Sequence, residues 1–248
     1  MRLILLIAFS AFFASCDQIN AVFGSSDTSE DANENVVKKF HDNGKLKSIY
    51  QINDLRQKHG QAKVYNPKGV LKQSFVYENG EKIQATQHYP NGNPLMQIDY
   101  KNGVKDGFIR RYYEDGTLES ETPYKEDYAG KGLKEYTKSG KLKEQYPNLI
   151  VRGIDQMQVN GKYTIEVYFD KNPGRGTYYI GELTEGKFMN YRIDELQRTN
   201  YRGRIVFNPA PGVMIMEKLT FVGEYKTPTG NKYIVDKEFN LAIDNTSF

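Results

Sequence analysis

Residues 117–124 alternate in character. Leu118, Ser120, Thr122 and Tyr124 point one way, and Thr117, Glu119 and Glu121 point the other. One side is mixed and partly apolar, and the other is charged, which predicts a half-buried antiparallel strand. Asp115-Gly116 precedes it, and FIRRYY lies on the far side of that pair. Asp-Gly and Asn-Gly centres suit two-residue hairpin turns, because both positions tolerate positive φ. The stretch Tyr100–Tyr124 therefore reads as one strand–turn–strand unit.

The unit recurs. Its turns fall at Asn43-Gly44, Lys68-Gly69, Asn91-Gly92, Asp115-Gly116 and Ser139-Gly140, with glycine spacings of 25, 23, 24 and 24. A period this regular marks a repeat array of about five hairpins. Gly44, Gly69, Gly92, Gly116 and Gly140 are read as structural turn residues. An aromatic or His stands four residues before each: Phe40, Tyr65, His88, Tyr112 and Tyr136. The intervening loops echo one another less well. Tyr100-Lys101-Asn102-Gly103-Val104-Lys105-Asp106-Gly107 is the fullest copy, and Asn53–Gly60 is degenerate.

YKNGVKDG followed by YYEDGTLESE resembles the variant MORN repeat, which occurs in tandem in YwqK-family antitoxins of toxin–antitoxin systems. The resemblance covers residues 39–146. It implies β-hairpins laid side by side into one long twisted antiparallel sheet. It also implies contact with protein or lipid rather than catalysis.

After Pro147 the hairpin period stops. Candidate strands are Leu149–Val159, Lys162–Phe169, Thr177–Leu183, Phe188–Ile193, Gly203–Phe207, Val213–Met216, Lys218–Tyr225 and Lys232–Ile243. Seven or eight short strands suit an immunoglobulin-like β-sandwich over residues 147–248. Tyr178, Tyr179, Phe207, Phe221, Tyr233 and Phe239 are its expected core or half-core, and Asp194–Arg198 reads as a short helical turn. The fold class is thus all-β, a hairpin ladder followed by a sandwich.

The first residues have another character. Arg2 precedes the apolar run Leu3–Phe13, too short to span a membrane as a mature helix, so residues 1–15 read as a signal peptide. Phe13-Ala14-Ser15-Cys16 resembles a bacterial lipobox. That resemblance implies cleavage before Cys16, diacylglycerol on its sulfur and a fatty acid such as palmitate on its amine. Cys16 is the only cysteine, so its acylation leaves no thiol for a disulfide, a metal or a nucleophile. Residues 16–38 then form an acidic, Ser/Asn-rich tether, and a short helix over Glu30–Phe40 is allowed by the pattern. The expected location is the bacterial cell envelope, lipid-anchored at the outer membrane or the periplasmic face of the inner membrane.

Composition narrows function further. The chain of 248 residues holds 19 Tyr, 13 Phe, 22 Gly and no Trp, which fits β structure. Its 34 basic and 31 acidic residues are interspersed, so no nucleic-acid footprint is read. His41, His59 and His88 fall in different repeats without ligand spacing, so no metal is expected. Gly174-Arg175-Gly176 with Gly181 lacks the strand–helix context of a dinucleotide fingerprint, and no cofactor is expected. No nucleophile motif appears, so no catalytic residue is named and the chain is read as a non-enzyme.

Tyr65, Tyr77, Tyr100, Tyr112, Tyr124 and Tyr136 are the candidate partner-facing residues. Tyrosines combine an apolar body with a polar tip and serve well at interfaces. The face they form is either covered by the C-terminal domain or open to a partner. The leading expectation is a protein-binding module at the envelope with an unidentified partner, antitoxin- or immunity-like. The alternative is a scaffold that lays Lys45, Lys47, Lys72, Lys141 and Lys143 against anionic lipid. An enzyme acting on envelope glycans comes last.

Overall fold

The computed structural model describes residues 28–30 and 35–246. The expected signal peptide, Cys16 and most of the tether lie outside the described residues.

The ladder is one antiparallel sheet. It runs in chain order through β1 (Thr28–Glu30), β2 (Val36–Phe40), β3 (Leu46–Ile52), β4 (Lys58–Tyr65), β5 (Leu71–Glu78), β6 (Glu81–His88), β7 (Pro94–Lys101), β8 (Val104–Tyr112) and β9 (Leu118–Lys125). Two short strands, β10 (Tyr128–Ala129) and β11 (Lys134–Glu135), both pair with β9 and end the sheet. Where a helix over Glu30–Phe40 was allowed, β2 forms instead. Val36 and Val37 favour extended backbone, and Val37 is buried opposite Tyr50 of β3.

Two kinds of turn alternate along the ladder. At each of the five repeat glycines, the glycine N–H donates to the carbonyl three residues back, as Gly44 does to His41 at 2.8 Å. His41 N–H in turn donates to the Lys45 carbonyl. Only the glycine has positive φ, +76° at Gly44 and +89° at Gly116. These are three-residue loops, a type I turn closed by a left-handed glycine, and not the two-residue turns that the Asn-Gly and Asp-Gly pairs suggest. The side chain before the glycine explains the difference. Asn43, Asn91 and Asp115 each accept the N–H two residues on, which fixes a right-handed turn centre. The two-residue turns lie at the opposite edge. Asn79-Gly80 and Asn102-Gly103 have both residues at positive φ, and so does Glu126-Asp127 without a glycine.

Each strand pair from β2–β3 to β8–β9 carries one register shift. Bulges bend a strand and raise its twist, so a bulge in every pair curls the ladder. The fifth repeat departs from expectation. Its Gly140 turn forms, but only the bridge Tyr136–Leu142 follows, because the chain leaves the sheet for the next domain.

That domain is a sandwich of two four-stranded sheets. One has the order β12 (Leu149–Gln156), β13 (Lys162–Phe169), β17 (Arg202–Phe207), β16 (Gln197–Thr199). The other has β15 (Asp194–Glu195), β14 (Gly176–Ile180), β18 (Met214–Lys226), β19 (Lys232–Asp244). Lettered A to G in chain order with a C′ strand, these are A-B-E-D and C′-C-F-G, the immunoglobulin-like arrangement. Ile165, Val167, Phe169, Tyr178, Phe221 and Leu241 fill the centre. Each such side chain contributes about 1.5–3 kcal/mol on burial. A Cβ at Gly223 would stand 2.7 Å from Phe169 Cζ, so only glycine lets this ring cross between the sheets.

Several local expectations are corrected. Asp194–Arg198 is not helical. Leu196 is buried and its N–H donates to the Tyr178 carbonyl at 2.8 Å, so the chain crosses between sheets there as two short strands. Phe188–Ile193 is a loop, because Phe188 bridges to Gly130 of the ladder rather than to a sandwich strand. Val213–Met216 and Lys218–Tyr225 are one strand, β18, paired with β19 along its length. The strand expected over Leu149–Val159 ends at Gln156, and a helical turn, Met157–Asn160, follows.

Candidate functional site

Register and alternation sort the ladder into two faces. Tyr50 pairs with Ala62, Ala62 with Phe75, Phe75 with Ala85 and Ala85 with Ile98. This row and its neighbours form the first face. The second face carries Lys63, Ser74, Gln84, Asp99, Arg110 and Glu121. There Arg110 donates to Asp99 at 3.0 Å and to Glu121 at 3.2 Å, and Lys134 reaches Glu121 at 3.6 Å. Asp99, Arg110 and Glu121 thus satisfy one another within that face.

The first face behaves differently along its length. At β9 it is covered. Ser120 and Thr122 are buried, and Ser120 Oγ donates to Asn231 Oδ1 of the sandwich at 3.3 Å. Glu135, only 4% exposed, accepts hydrogen bonds from Thr227 Oγ1 (2.8 Å), Asn231 Nδ2 (2.7 Å) and Thr229 Oγ1. Tyr124 packs with Ala129, Leu183, Val222 and Ile234. Met189 N–H donates to the Ala129 carbonyl, and Tyr146 stacks on Tyr233 at 4.5 Å and 11°. Burial first, and then the charge of Glu135, pushes the Tyr146 phenol well above its ordinary range.

From β3 to β7 no described sandwich residue lines the same face, which forms an open trough of about 890 Å³. Tyr50, Phe75, Tyr77, Met96, Ile98 and Tyr100 supply its apolar lining. Its charged lining residues, among those described, are lysines and no carboxylate. Two of these lysines sit over rings. Lys58 Nζ lies 5.4 Å from the centre of Tyr50 and 5.1 Å from that of Tyr77, and Lys82 Nζ lies 3.9 Å from Tyr100. Lys105 continues the series over Tyr124 at 5.9 Å, beyond the trough. Rings and ammonium groups thus alternate along one edge of the trough, one rung per repeat. Register produces this. Tyr77 pairs with Lys82 and Tyr100 with Lys105 across the two-residue turns, and each lysine reaches forward over the next ring. Burial lowers the affinity of Lys58 for its proton, and the charge of Lys39 lowers it further. Burial raises the Tyr77 and Tyr100 phenols.

The six tyrosines expected to share a face do not. Tyr77 and Tyr100 line the trough, and Tyr124 extends their row under the sandwich. Tyr112 donates to Gln97 Oε1 at 3.2 Å on the second face. Tyr65 borders the trough at a bulge and gives its carbonyl to His41 Nε2 at 3.0 Å. Tyr136 lies past the last full strand, its carbonyl taking the Tyr113 hydroxyl at 2.7 Å. The aromatic slot before each turn glycine is therefore read through its backbone. The residue after it bonds the slot's carbonyl in the next repeat, as Tyr89 also does at Tyr112.

Sequence reading missed Tyr50, Lys58, Lys82 and Lys105. The signal was present as Tyr-x-Asn-Gly-x-Lys at Tyr77–Lys82 and Tyr100–Lys105. The lysines proposed as one lipid-facing stripe separate: Lys47 lines the trough, Lys45 donates to the Lys68 carbonyl, and Lys143 borders a cleft of about 280 Å³ beside Glu135 and Tyr146. The histidines serve the ladder. His88 bonds Ser74 Oγ at 2.8 Å and the Gly92 carbonyl at 3.0 Å, and His59 accepts from Asn79 N–H.

Four successive segments, residues 33–54, 58–80, 83–102 and 105–126, match the MORN repeat variant family. These four segments are similar to MORN-variant repeats. They coincide with the four hairpin units that build the trough and its covered end. No curated protein matches the chain. Among solved structures, the chain is similar to the extracellular domain of the one component system BT4673 from B. thetaiotaomicron, at 11% identity and a TM-score of 0.23. That alignment covers 88% of this chain and 35% of the other, so the chain spans about a third of its length.

Proposed function

We propose that this protein is a non-enzymatic, lipid-anchored binding module of the bacterial cell envelope, and that the MORN-variant trough is where it holds a protein partner. One observation carries the reading. The ladder face is covered by the sandwich at β9 and open from β3 to β7, where rings and lysines line it. Large apolar surfaces left open on a folded chain mark interaction sites. Lysines set over rings keep an apolar floor and a cationic rim together, which suits docking rather than bond making. Cys16 supplies the anchor through its lipobox-like context, and the chains it would carry give firm attachment. An antitoxin- or immunity-like role is the finer form of this reading, motivated by the YwqK-like repeat.

Two experiments test it. A fatty-acid probe fed to cells labels the wild-type chain and not Cys16→Ala; equal labelling removes the anchor from the reading. Affinity capture from envelope extracts recovers a partner that is lost in the Tyr77→Ala/Tyr100→Ala double variant. If recovery is unchanged in the double variant, the trough is not the docking face. Protection of cells against a toxic neighbouring gene product, lost in the same variant, decides the immunity role.

A further inference from the structure

The rungs of the trough have a fixed spacing, and that spacing selects the shape of what lies along them. Each repeat contributes two strands, and neighbouring strands stand about 4.7–4.9 Å apart, so like rungs recur about every 9.6 Å. A segment crossing the strands meets Tyr50, Tyr77 and Tyr100 in turn, with Lys58 and Lys82 between them. A polyproline II segment rises about 3.1 Å per residue and turns once in three residues, so one of its edges recurs about every 9.3 Å. A β-strand repeats its facing side chains about every 6.7 Å and falls out of step at the first rung. An α-helix returns the same face about every 5.4 Å, and two turns overshoot each rung by about an ångström.

Chemistry narrows the choice again. The described charged residues of the trough are lysines, and the rings that Lys58 and Lys82 sit over belong to its apolar lining. Aromatic-lined grooves bind proline-rich polyproline II chains, whose low conformational entropy limits the cost of ordering. Carboxylates on the third residue of each turn would meet the ammonium groups between the rings.

We propose that the trough binds an acidic polyproline II segment, with a Glu or Asp at every third position meeting the ammonium groups of Lys58 and Lys82 and prolines packed beside Tyr77 and Tyr100. This rests on the reading of the trough as a docking face. From Tyr50 to Tyr100 the rungs span two repeats, about 19 Å, which six residues at about 3.1 Å each fill. Burial and the charge of Lys39 lower the proton affinity of Lys58, and a carboxylate brought beside it on binding would oppose both.

The test uses the full chain in detergent and a fluorescein-labelled (Glu-Pro-Pro)₆ peptide, read by anisotropy. The peptide binds at least tenfold more tightly than (Glu-Gly-Ser)₆, which has the same charge and spacing on a flexible backbone. It also binds at least tenfold more tightly than (Glu-Pro-Pro-Pro)₅, whose period is wrong. Affinity falls as salt rises, and Lys58→Glu and Lys82→Glu each weaken it tenfold or more. Lys72→Glu, outside the trough, leaves it unchanged, and circular dichroism checks that every variant keeps its strand signal. Equal affinity for the flexible or the mis-spaced peptide overturns the inference. So does binding of phosphatidylglycerol vesicles or of an acidic polysaccharide through the same lysines with no binding of (Glu-Pro-Pro)₆. If the peptide fails while a captured envelope protein still depends on Tyr77 and Tyr100, this inference falls and the docking reading stands.

Discussion

The Lys82 ammonium lies 3.9 Å from the centre of the Tyr100 ring, one repeat ahead of the tyrosine it pairs with in register. The contact ties consecutive repeats through side chains on the trough face, as the strand ladder ties them through backbone. At a partly exposed site such a contact is worth about 0.5–1 kcal/mol. Lys82→Met keeps the aliphatic stem and removes the charge. Urea unfolding followed by tyrosine fluorescence should show a loss of that size, with none in Lys72→Met, where the side chain is exposed on β5.

The Glu135 carboxylate gathers three sandwich side chains on one oxygen. Glu135→Ala leaves those buried groups without their acceptor, at about 1–3 kcal/mol for an unsatisfied group. Hydrogen exchange should speed up in β10, β11 and the loop 227–231 while the core of the sandwich stays protected. Uniform acceleration across both domains would show that Glu135 serves global stability rather than the junction.

Gly69 and Gly223 separate two reasons for glycine. Gly69 has φ +88° and open space around it, so Gly69→Ala costs only the left-handed backbone, about 1–2 kcal/mol. Gly69→Asn should cost less, since Asn tolerates that region. Gly223→Ala meets Phe169 and Leu149 at 2.7 and 2.8 Å and should lower the melting temperature further than Gly69→Ala. The reverse order would mean that the sandwich core gives way more easily than the turn.

These positions also show what the sequence made legible. Gly69 was readable as a turn because a residue needing positive φ recurs with the repeat, and the hairpin ladder followed from that period. The six-tyrosine face was not readable. A bulge in every strand pair resets alternation, so Tyr112 falls on the face opposite Tyr100 although both stand beside turns. Lys58 and Tyr50 were hidden because the loop between them, Asn53–Gln57, has lost the Asn-Gly pair that marks the other copies. Leu196 reads as part of a helical turn in the sequence because a single buried residue between two sheets leaves no period to detect.

Acid should weaken the sandwich through Glu166. Burial alone would raise its carboxyl, but hydrogen bonds from Arg202 at 2.5 Å and from Arg204 at 2.5 and 3.0 Å outweigh it and hold it below the usual range. A depressed folded value means that its stabilisation is present above the unfolded carboxylate value, about 4.3, and is lost as pH falls through the folded one. Urea midpoints measured downward from pH 5 should drop more steeply in wild type than in Glu166→Gln. Parallel curves would remove Glu166 from the acid response.

Alkali should act through Tyr179, which burial, with Glu224 and Glu195 adding to it, pushes up to about 12. An exposed phenol in the unfolded chain ionises near 10, so stability falls between about pH 10 and the folded value. Tyrosinate absorbance at 295 nm should rise in two phases, and Tyr179→Phe should remove amplitude from the later one alone.

The sandwich closes the ladder at β9 and leaves growth possible in one direction only. A further repeat inserted ahead of β8 would move the graduated edge outward by about 9.6 Å and leave the Glu135 junction as it is. Repeat arrays gain and lose units in this way because each unit touches only its neighbours. The length of the trough is therefore set by copy number, and its chemistry by the residues on a single rung.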